Sequence, residues 1–319
     1  MLKIASTTVP GLRDLRAAPD MQLGADVIWI DLNEPTREEE LAVEHALGVE
    51  LPTREEMADI EPSSRLYTDG GATVLIATLV TNSDGSRPVS SPVTFVLAGH
   101  RLVTIRYSEP RAFAVFAAEL EHKTEVVVSG VHVLVDLLDA VVDRLADVLE
   151  RTSSEVERTS NDIFSRPRGA SFEDIIDRLG RAQVVDSKVR DSLVSLSRMI
   201  SFSSLAEQVE ASEDCQEHLK SLHRDVQSLN DHCSYQSGNI TFLLDAAMGL
   251  INIEQNAILK RFSIFSIMFI PPTLVAGIYG MNFQHMPELA WQWGYAMAIG
   301  FMLLGCFGPL LYFRRRGWL

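Results

Sequence analysis

The chain is poor in the residues that a secreted, disulfide-stabilised or nucleotide-hydrolysing protein needs. It has three cysteines in 319 residues. Cys215, Cys233 and Cys306 form no CxxC pair, so a disulfide framework is excluded and a reducing compartment is favoured. No GxxxxGK[ST] loop is present, which excludes a P-loop nucleotide site. The opening residues, MLKIASTTVP, lack the apolar core of a signal peptide, so we expect the first membrane span to serve as the insertion signal.

Metal-ligating patterns are also scarce. Cys215 and His218 lie three residues apart on a predicted helix, a spacing at which two side chains can share a metal ion. No further ligand accompanies them at the spacing of a tetrahedral site. The sequence therefore assigns no metal-ligating residues and predicts no bound cofactor.

Formal charge is nearly absent from the C-terminal part of the chain. Glu288 is the only charged residue between Phe262 and Phe313. Two apolar runs, Phe262–Tyr279 and Gly294–Phe313, each have roughly the 18–20 residues that a helix needs to cross a bilayer. Only Gly280–Trp293 separates them, which is too short for a folded domain. The sequence therefore predicts a transmembrane hairpin that is embedded in the lipid bilayer.

Basic residues flank the outer ends of this hairpin. Lys260 and Arg261 precede it and Arg314–Arg316 follow it, whereas the loop between the spans has no Lys or Arg. Basic residues near the ends of spans stay on the cytoplasmic side. Both termini are therefore predicted to be cytoplasmic, in a multi-pass membrane protein. Trp291 and Trp293 suit the aromatic belt at the opposite surface.

The rest of the chain is strongly acidic. Residues 1–259 carry 23 basic and 42 acidic side chains, a net charge of −19. This charge disfavours nucleic acid as a partner and attracts cations. A solvated acidic surface on an ordinary cytosolic domain explains the same excess without any bound ion.

The first part of the chain is predicted to be an α/β domain. Apolar runs at Val27–Leu32, Ala72–Val80 and Val93–Leu97 predict buried strands, and Leu102–Tyr107 forms a hairpin with the last of these across Gly99-His100. The segment Thr53–Ser64 predicts a short helix.

Helical patterns follow. From about Val131, leucines and valines recur at spacings of three and four, which predicts a long amphipathic helix. Asn161–Ala170 is predicted to be a turn, and Ser171 the N-cap of a helix that runs to about Met199. From Glu213 to Ile270 there is no proline, which predicts one helix that continues into the first span. A helix that long needs partners in a bundle or a coiled-coil-like assembly.

These patterns predict an α+β membrane protein with three regions. An N-terminal cytoplasmic α/β domain covers residues 1–128, a cytoplasmic region of long stalk helices covers 129–260, and a two-helix transmembrane hairpin with a basic tail covers 261–319.

The first span carries a polar face. A stripe of mostly small or hydroxyl-bearing side chains follows Asn256 at alternating spacings of three and four, the heptad pattern of a helix that meets other helices. Its members are Leu259, Ser263, Ser266, Ile270, Thr273 and Gly277. This pattern fits a water-filled pore, although such stripes are more often packing seams between helices.

The end of the first span offers oxygen ligands without charge. Carbonyl groups of a turn at Gly280–Asn282 and the Asn282 amide, repeated around a symmetric ring, would form a neutral mouth lined by oxygen. Such a mouth suits Mg²⁺, which prefers oxygen ligands and retains several of its waters. A helix C-cap is the plainer interpretation of the same residues.

The motif Tyr279-Gly280-Met281-Asn282-Phe283, followed by Met286-Pro287-Glu288-Leu289, resembles the CorA family of magnesium and cobalt transporters, and within it the enterobacterial branch. The similarity extends upstream through Ile251–Asn256 and Pro271–Ala276, and downstream through Tyr312–Leu319. Trp29-Ile30-Asp31-Leu32 is similar to part of the family's N-terminal domain.

The resemblance implies a funnel-shaped homopentamer in which five first spans line a pore. Gly280, Met281 and Asn282 would then select the hydrated ion at the entrance. The implied polar pore-lining residues are Asn256 and Thr273, and the implied constriction is formed by Leu259, Phe262, Ser266 and Ile270. The family position thus places Phe262 in the pore where the heptad places Ser263.

The resemblance also implies the activity. The cargo would be Mg²⁺, with Co²⁺ or Ni²⁺ as further partners, driven inward by the membrane potential and gated by cytoplasmic Mg²⁺ held between subunits by carboxylates. Asp225 resembles one such carboxylate, but no regulatory residue is assigned.

Three other functions agree less well with the sequence. A transporter of Zn²⁺ or Ni²⁺ would differ at the mouth, where His285 and Met286 are the candidate soft ligands. A membrane-anchored structural coiled coil explains the long helix but not the polar face of the first span. An enzyme is not supported, because no nucleophile has a base at a recognisable spacing.

Overall fold

The computed structural model describes residues 1–9, 11–18, 21–59, 61–82, 88–122, 128–165, 171–281 and 286–316. Their strands are β1 (Leu2–Ser6), β2 (Arg13–Asp14), β3 (Val27–Asn33), β4 (Leu66–Asp69), β5 (Ala72–Thr81), β6 (Val89–Ala98) and β7 (Arg101–Arg106). Their helices are α1 (Arg37–Leu47), α2 (Arg54–Met57), α3 (Pro62–Arg65), α4 (Arg111–His122), α5 (Gly130–Ser165), α6 (Phe172–Ser203), α7 (Glu207–Glu210), α8 (Glu213–Tyr279), a 3₁₀ turn (Pro287–Ala290) and α9 (Gly294–Arg315).

The strands form one mixed sheet in the order β2-β1-β3-β7-β6-β5-β4. Only the central β3–β7 pair is parallel among the described pairs, and Asp31 lies opposite Thr104 in it. The predicted β6–β7 hairpin is confirmed, with Val96 opposite Val103. Gly99 makes its turn at a φ of +59°, a left-handed conformation that favours glycine. The short strands β1, β2 and β4, which lie towards the two edges of the sheet, were not predicted from the sequence.

Both faces of the sheet are covered, because alternate side chains of the long strands point to opposite sides. On β5, Leu75 and Leu79 belong to a large core shared with α4, α5, α6 and the first part of α8. Val74 and Ile76 face the other way, into a smaller core closed by α1 and α2. This double coverage explains why the strands are continuous apolar runs in the sequence.

A buried polar network fixes the centre of the sheet and explains the Trp29–Leu32 motif. Arg106 donates from Nε and Nη2 to the two carboxylate oxygens of Asp31, at 3.1 and 2.9 Å. Thr104 donates to Asp31 Oδ1 at 2.8 Å and accepts from the indole N–H of Trp29 at 2.9 Å. Removing one partner of such a buried ion pair typically costs about 3–5 kcal/mol. The motif is therefore structural in this chain.

Three predictions about helices need correction. The predicted helix at Thr53–Ser64 is two separate turns, α2 and α3, and Thr53 caps the first by accepting from the backbone N–H of Glu56 at 3.4 Å. The predicted turn at Asn161–Ala170 is wrong as far as Ser165, because α5 continues through it and buries Ile163; residues 166–170 lie outside the described part. Ser171 is the N-cap of α6, as predicted, but that helix continues to Ser203.

The long helix is confirmed: α8 has 67 residues and includes both Pro271 and Pro272. Backbone contacts divide the structure into two compact units, Met1–Leu244 and Asp245–Leu319, and α8 contributes to both. The predicted region limits at 128 and 260 remain predictions. The large core combines strands from the first of those regions with helices from the second.

Candidate functional site

The C-terminal unit contains two helices long and apolar enough to cross a membrane, the end of α8 and α9. In each, only 6% of the most apolar 18-residue window is buried within the chain. A core helix of a soluble protein would be mostly buried, so these apolar surfaces need another environment. The predicted spans at Phe262–Tyr279 and Gly294–Phe313 coincide with these helices.

One face of the α8 span packs within the hairpin. Its less exposed residues recur every three or four positions: Ile264, Met268, Pro271, Val275 and Tyr279. This face meets α9 at Gly305, where an added Cβ would lie 2.6 Å from the Cβ of Pro271. Small residues allow helices in a membrane to approach this closely.

The predicted pore face points the other way. Each residue turns a helix by about 100°, so Ile264 and Ser266 lie on nearly opposite sides of α8. All seven heptad positions from Asn256 to Gly277 are exposed, including Leu259 at 63% and Ile270 at 61%. The described part of the chain therefore leaves this face open to a partner or to water.

An open groove runs along this face. Ser266, Ile270, Thr273, Gly277 and Met281 all line it. The structure thus brings together on one surface several residues predicted for the constriction, the polar lining and the mouth.

Hydroxyl groups on this face present oxygen rather than hydrogen. Ser263 donates to the Leu259 carbonyl at 2.9 Å, Ser266 to the Phe262 carbonyl at 3.0 Å, and Thr273 to the Phe269 carbonyl at 2.7 Å. Because each O–H is used within the helix, the exposed oxygen is left with lone pairs that can accept. Acceptors of this kind suit the waters around a hydrated cation.

Pro271 and Pro272 add further acceptors. Neither has a backbone N–H, so the carbonyls of Ile267 and Met268 receive no helical hydrogen bond from them. Helix breaks of this kind survive in membranes where a cavity or a neighbouring group satisfies the freed carbonyls.

The predicted mouth begins where α8 ends. Gly280 donates its N–H to the Ala276 carbonyl at 2.9 Å, and an added Cβ at Gly280 would lie 2.8 Å from that same oxygen. A larger residue therefore does not fit without a shift of the helix end. Met281 is 48% exposed beside the groove. Asn282 lies outside the described residues, so its role stays a prediction.

Phe262, from the family resemblance, and Ser263, from the heptad, are the two candidates for one position in the pore. Phe262 is 73% exposed and Ser263 is also exposed, so both side chains are available on the open side of α8. The residue that follows them, Ile264, is buried.

In the N-terminal unit, a cavity between α4 and α5 gathers carboxylates. Glu119 lines it together with Asp136, Asp139, Asp143 and Asp147. Partial burial of the Asp143 carboxyl, and then the charges of Asp139 and Asp147, raise its pKa above the ordinary value. This group of carboxylates was not predicted from the sequence, although its four aspartates follow one another on α5 at spacings of three and four.

No closed metal site is formed by this cavity in one chain. Among the described residues, no three His, Cys, Asp or Glu side chains are grouped so as to hold an ion. The candidate pair of Cys215 and His218 is also separated: Cys215 is buried in the core, whereas His218 lies 3.5 Å from the carboxylate of Asp139.

Two uncovered apolar helices long enough to span a bilayer, one of them with an oxygen-bearing face, are features of an integral membrane protein. The comparison with known families gives the particular assignment. A family model described as "CorA-like Mg2+ transporter protein" matches residues 24–315. The chain belongs to this family, and the resemblance inferred from sequence motifs is confirmed.

Individual relatives agree with this assignment. The chain is 36% identical over 294 residues to the magnesium transport protein CorA of Salmonella typhimurium and to that of Escherichia coli, with 92% of each chain covered. The complete structure of the CorA magnesium transporter from Methanocaldococcus jannaschii matches with a TM-score of 0.79 at 18% identity, over 100% of this chain and 98% of that one. The structural likeness confirms the predicted fold class, including the α/β domain, the stalk helices and the C-terminal hairpin. The pentamer stays a prediction.

Proposed function

We propose that the chain assembles into a homopentameric channel that takes up Mg²⁺ across the bacterial inner membrane. The observation that carries the proposal is the open face of α8, where hydroxyl oxygens and apolar side chains alternate opposite the surface that packs within the hairpin. Symmetric copies of this face would enclose a narrow path lined by hydrogen-bond acceptors. The magnesium transport of the relatives supports Mg²⁺ as the cargo.

The polar and apolar residues have different roles in this path. Asn282, with Gly280 and Met281, would accept hydrogen bonds from the waters of a hydrated ion at the outer mouth. Leu259, Phe262 and Ile270 would form the dry constriction between the hydroxyl positions. All of the apolar members are exposed in one chain, so they are available for this role.

Transport needs no coupled chemical reaction. A divalent cation gains about 4–5 kcal/mol for each 100 mV of inside-negative potential. Both termini would lie in the cytoplasm, as the basic residues at the outer ends of the hairpin favour.

Regulation by cytoplasmic Mg²⁺ is part of the proposal. The raised pKa of Asp143 reflects partial burial and crowding of like charges, which a nearby cation would relieve. Since no described group in one chain closes around an ion, the regulatory ion would be shared with carboxylates of a neighbouring subunit. Residues such as Asp139 and Asp143 would hold it.

The test is Mg²⁺ influx into liposomes that contain the purified full-length chain and an internal Mg²⁺-sensing dye, under an inside-negative potential. Wild type should show influx, and Asn282→Ala should reduce it at least tenfold, because each selecting subunit loses its amide acceptor. Asn161→Ala is the matched control, since Asn161 is an exposed amide on α5. Influx that is equal in all three proteins would contradict the assigned mouth, and none in wild type at low internal Mg²⁺ would contradict the function.

The same assay separates the possible cargoes. Co²⁺ and Ni²⁺ are expected to compete with Mg²⁺ for entry, because the path offers oxygen acceptors without a charged ligand. Zn²⁺ entering faster than Mg²⁺ would move the assignment to another divalent ion. A silent but correctly inserted protein would favour the anchored coiled coil.

A further inference from the structure

The cytoplasmic end of the hairpin carries a concentration of positive charge. Lys260 and Arg261 lie just before the α8 span, and Arg314, Arg315 and Arg316 lie at the end of α9. All five side chains are exposed. We refer to these five residues as the basic collar.

The contact between Pro271 and Gly305 places the two parts of the collar at a similar depth. Lys260 precedes Pro271 by eleven residues, and Arg316 follows Gly305 by eleven. At 1.5 Å per residue, both lie about 16 Å along their helices from the same contact. Because the two spans form a hairpin, the two groups of cations lie at the same end of it.

Aromatic side chains accompany the collar. The guanidinium carbon of Arg316 lies 5.8 Å from the centre of the Tyr312 ring, which is 58% exposed. Tyr312 also makes an edge-on contact with Phe313, with 5.7 Å between ring centres. Amphipathic aromatic rings settle at the level of lipid headgroups. With Tyr312 at that level, the arginine side chains would leave the helix at the depth where phosphate groups lie.

The opposite end of the hairpin has a different character. The loop Gly280–Trp293 contains Glu288 and no Lys or Arg, so the positive charge is confined to one membrane surface. Clusters of basic residues next to a span bind anionic phospholipids, and arginine matches phosphate with two parallel hydrogen bonds.

We propose that the basic collar binds the phosphate headgroups of anionic phospholipids in the cytoplasmic leaflet. The occupant is an acidic glycerophospholipid such as phosphatidylglycerol, whose negative headgroup meets the arginines while its tails cover the apolar outer surface of the hairpin. This inference relies on the membrane placement in the proposed function but not on the transported ion.

The test uses the full-length chain in vesicles of three parts phosphatidylcholine to one part phosphatidylglycerol. After extraction in mild detergent, native mass spectrometry counts the lipids that remain bound. Phosphatidylglycerol should be enriched about fivefold or more over its share of the vesicle, since each basic residue near the surface contributes about that factor. The triple variant R314Q/R315Q/R316Q should lose most of this enrichment.

Two controls keep the result specific. R314K/R315K/R316K retains the charge and the topology signal, so it should retain most of the enrichment. R158Q/R198Q/R224Q removes three exposed arginines of the N-terminal unit and should bind lipid like wild type. Equal enrichment in the glutamine variant and wild type, or equal loss in the lysine variant, would overturn the proposal.

Two further outcomes are informative. Displacement of the bound lipid by millimolar inorganic phosphate would overturn the assignment to lipid and indicate a general phosphate site. Mg²⁺ influx is measured separately on the same vesicles. Enrichment without influx would sustain the collar and contradict the proposed function, whereas influx without enrichment would do the reverse.

Discussion

Among single residues, Asp143 shows how the acidic surface acts on stability. Its pKa is raised by partial burial and then by the neighbouring carboxylates of Asp139 and Asp147. The folded chain therefore binds this proton more tightly than the unfolded chain does, and ionised Asp143 destabilises the fold above its folded-state pKa. The effect disappears as the pH falls below the ordinary value of 3.8. The stability contributed by this group thus decreases, not increases, as the pH rises through that window.

Replacing Asp143 with asparagine should raise the thermal midpoint at pH 7, because the repulsion among the carboxylates is reduced. The side chain is exposed, so solvent screening limits the gain to about 2 °C. The difference from wild type should shrink as the pH approaches 4. Thermal unfolding of the full-length protein in detergent, followed across this pH range, measures both effects.

Magnesium adds a second comparison for Asp143. Millimolar Mg²⁺ should stabilise wild type more than Asp143→Asn, because the variant has less charge for the ion to relieve. Asp177→Asn on α6 is the control, since Asp177 is exposed and lies outside the acidic cavity. The same response to Mg²⁺ in all three proteins would contradict a regulatory role for this carboxylate.

Among the elements, α8 and α9 are in close contact at Gly305. Gly305 lies against Pro271 with no space for a methyl group, because an added Cβ would be 2.6 Å from the proline Cβ. The proline ring is rigid, so the clash must be relieved by moving the helices. By contrast, an added Cβ at Gly308, three residues further along α9, would meet no heavy atom within 4 Å.

Gly305→Ala should therefore destabilise the hairpin, whereas Gly308→Ala should not. Overpacking of this kind typically costs about 1–3 kcal/mol. The thermal midpoint in detergent should fall for the first variant and stay within about 1 °C of wild type for the second. A pair of equal midpoints would show that the two helices are not packed at Gly305 as described.

The elements also show what sequence can predict. Long apolar strands such as β5 were found because both faces of the sheet are buried, which leaves an uninterrupted apolar run. The two-residue strand β2 has no such pattern, since both of its residues are exposed and only the pairing with β1 defines it. The end of α5 was not predicted because Pro167 and Gly169 suggest a turn, whereas burial of Ile163 favours continuation of the helix to Ser165.

The candidate site could also be predicted only in part. The heptad of Ser266, Ile270 and Thr273 is a local pattern, so the sequence alone predicts that these residues share the face that lines the groove. The packing of Gly305 on Pro271 joins residues far apart in the chain and has no local signal. The carboxylate cavity also depends on contact between α4 and α5, although the aspartate spacing on α5 is visible in the sequence.

For the whole molecule, the proposed transport of ions depends on what meets the open face of α8. This face holds the hydroxyl groups of Ser263, Ser266 and Thr273. It lies on the side of α8 opposite the contact with α9. Lipid is a poor partner for it, since the exposed hydroxyl oxygens would find no hydrogen-bond donor in hydrocarbon. A path filled with water at the centre of an oligomer would satisfy these groups.

Cysteine accessibility during transport tests this claim most directly. The background is favourable: Cys215 and Cys233 are buried, and burial together with Asp186 raises the pKa of Cys233 to about 12, so it is unreactive. The half-buried Cys306 is replaced by serine. Thr273→Cys then places one thiol on the open face, and Phe265→Cys places one on a neighbouring exposed face.

A positively charged, membrane-impermeant thiol reagent is added to liposomes while Mg²⁺ influx is recorded. The account predicts that Thr273→Cys loses at least nine-tenths of its influx, because a bulky cation then occupies the path, whereas Phe265→Cys is unaffected because lipid shields it. Block of Phe265→Cys with Thr273→Cys unaffected, or no block of either at full labelling, would show that the open face of α8 does not line the route of the ion.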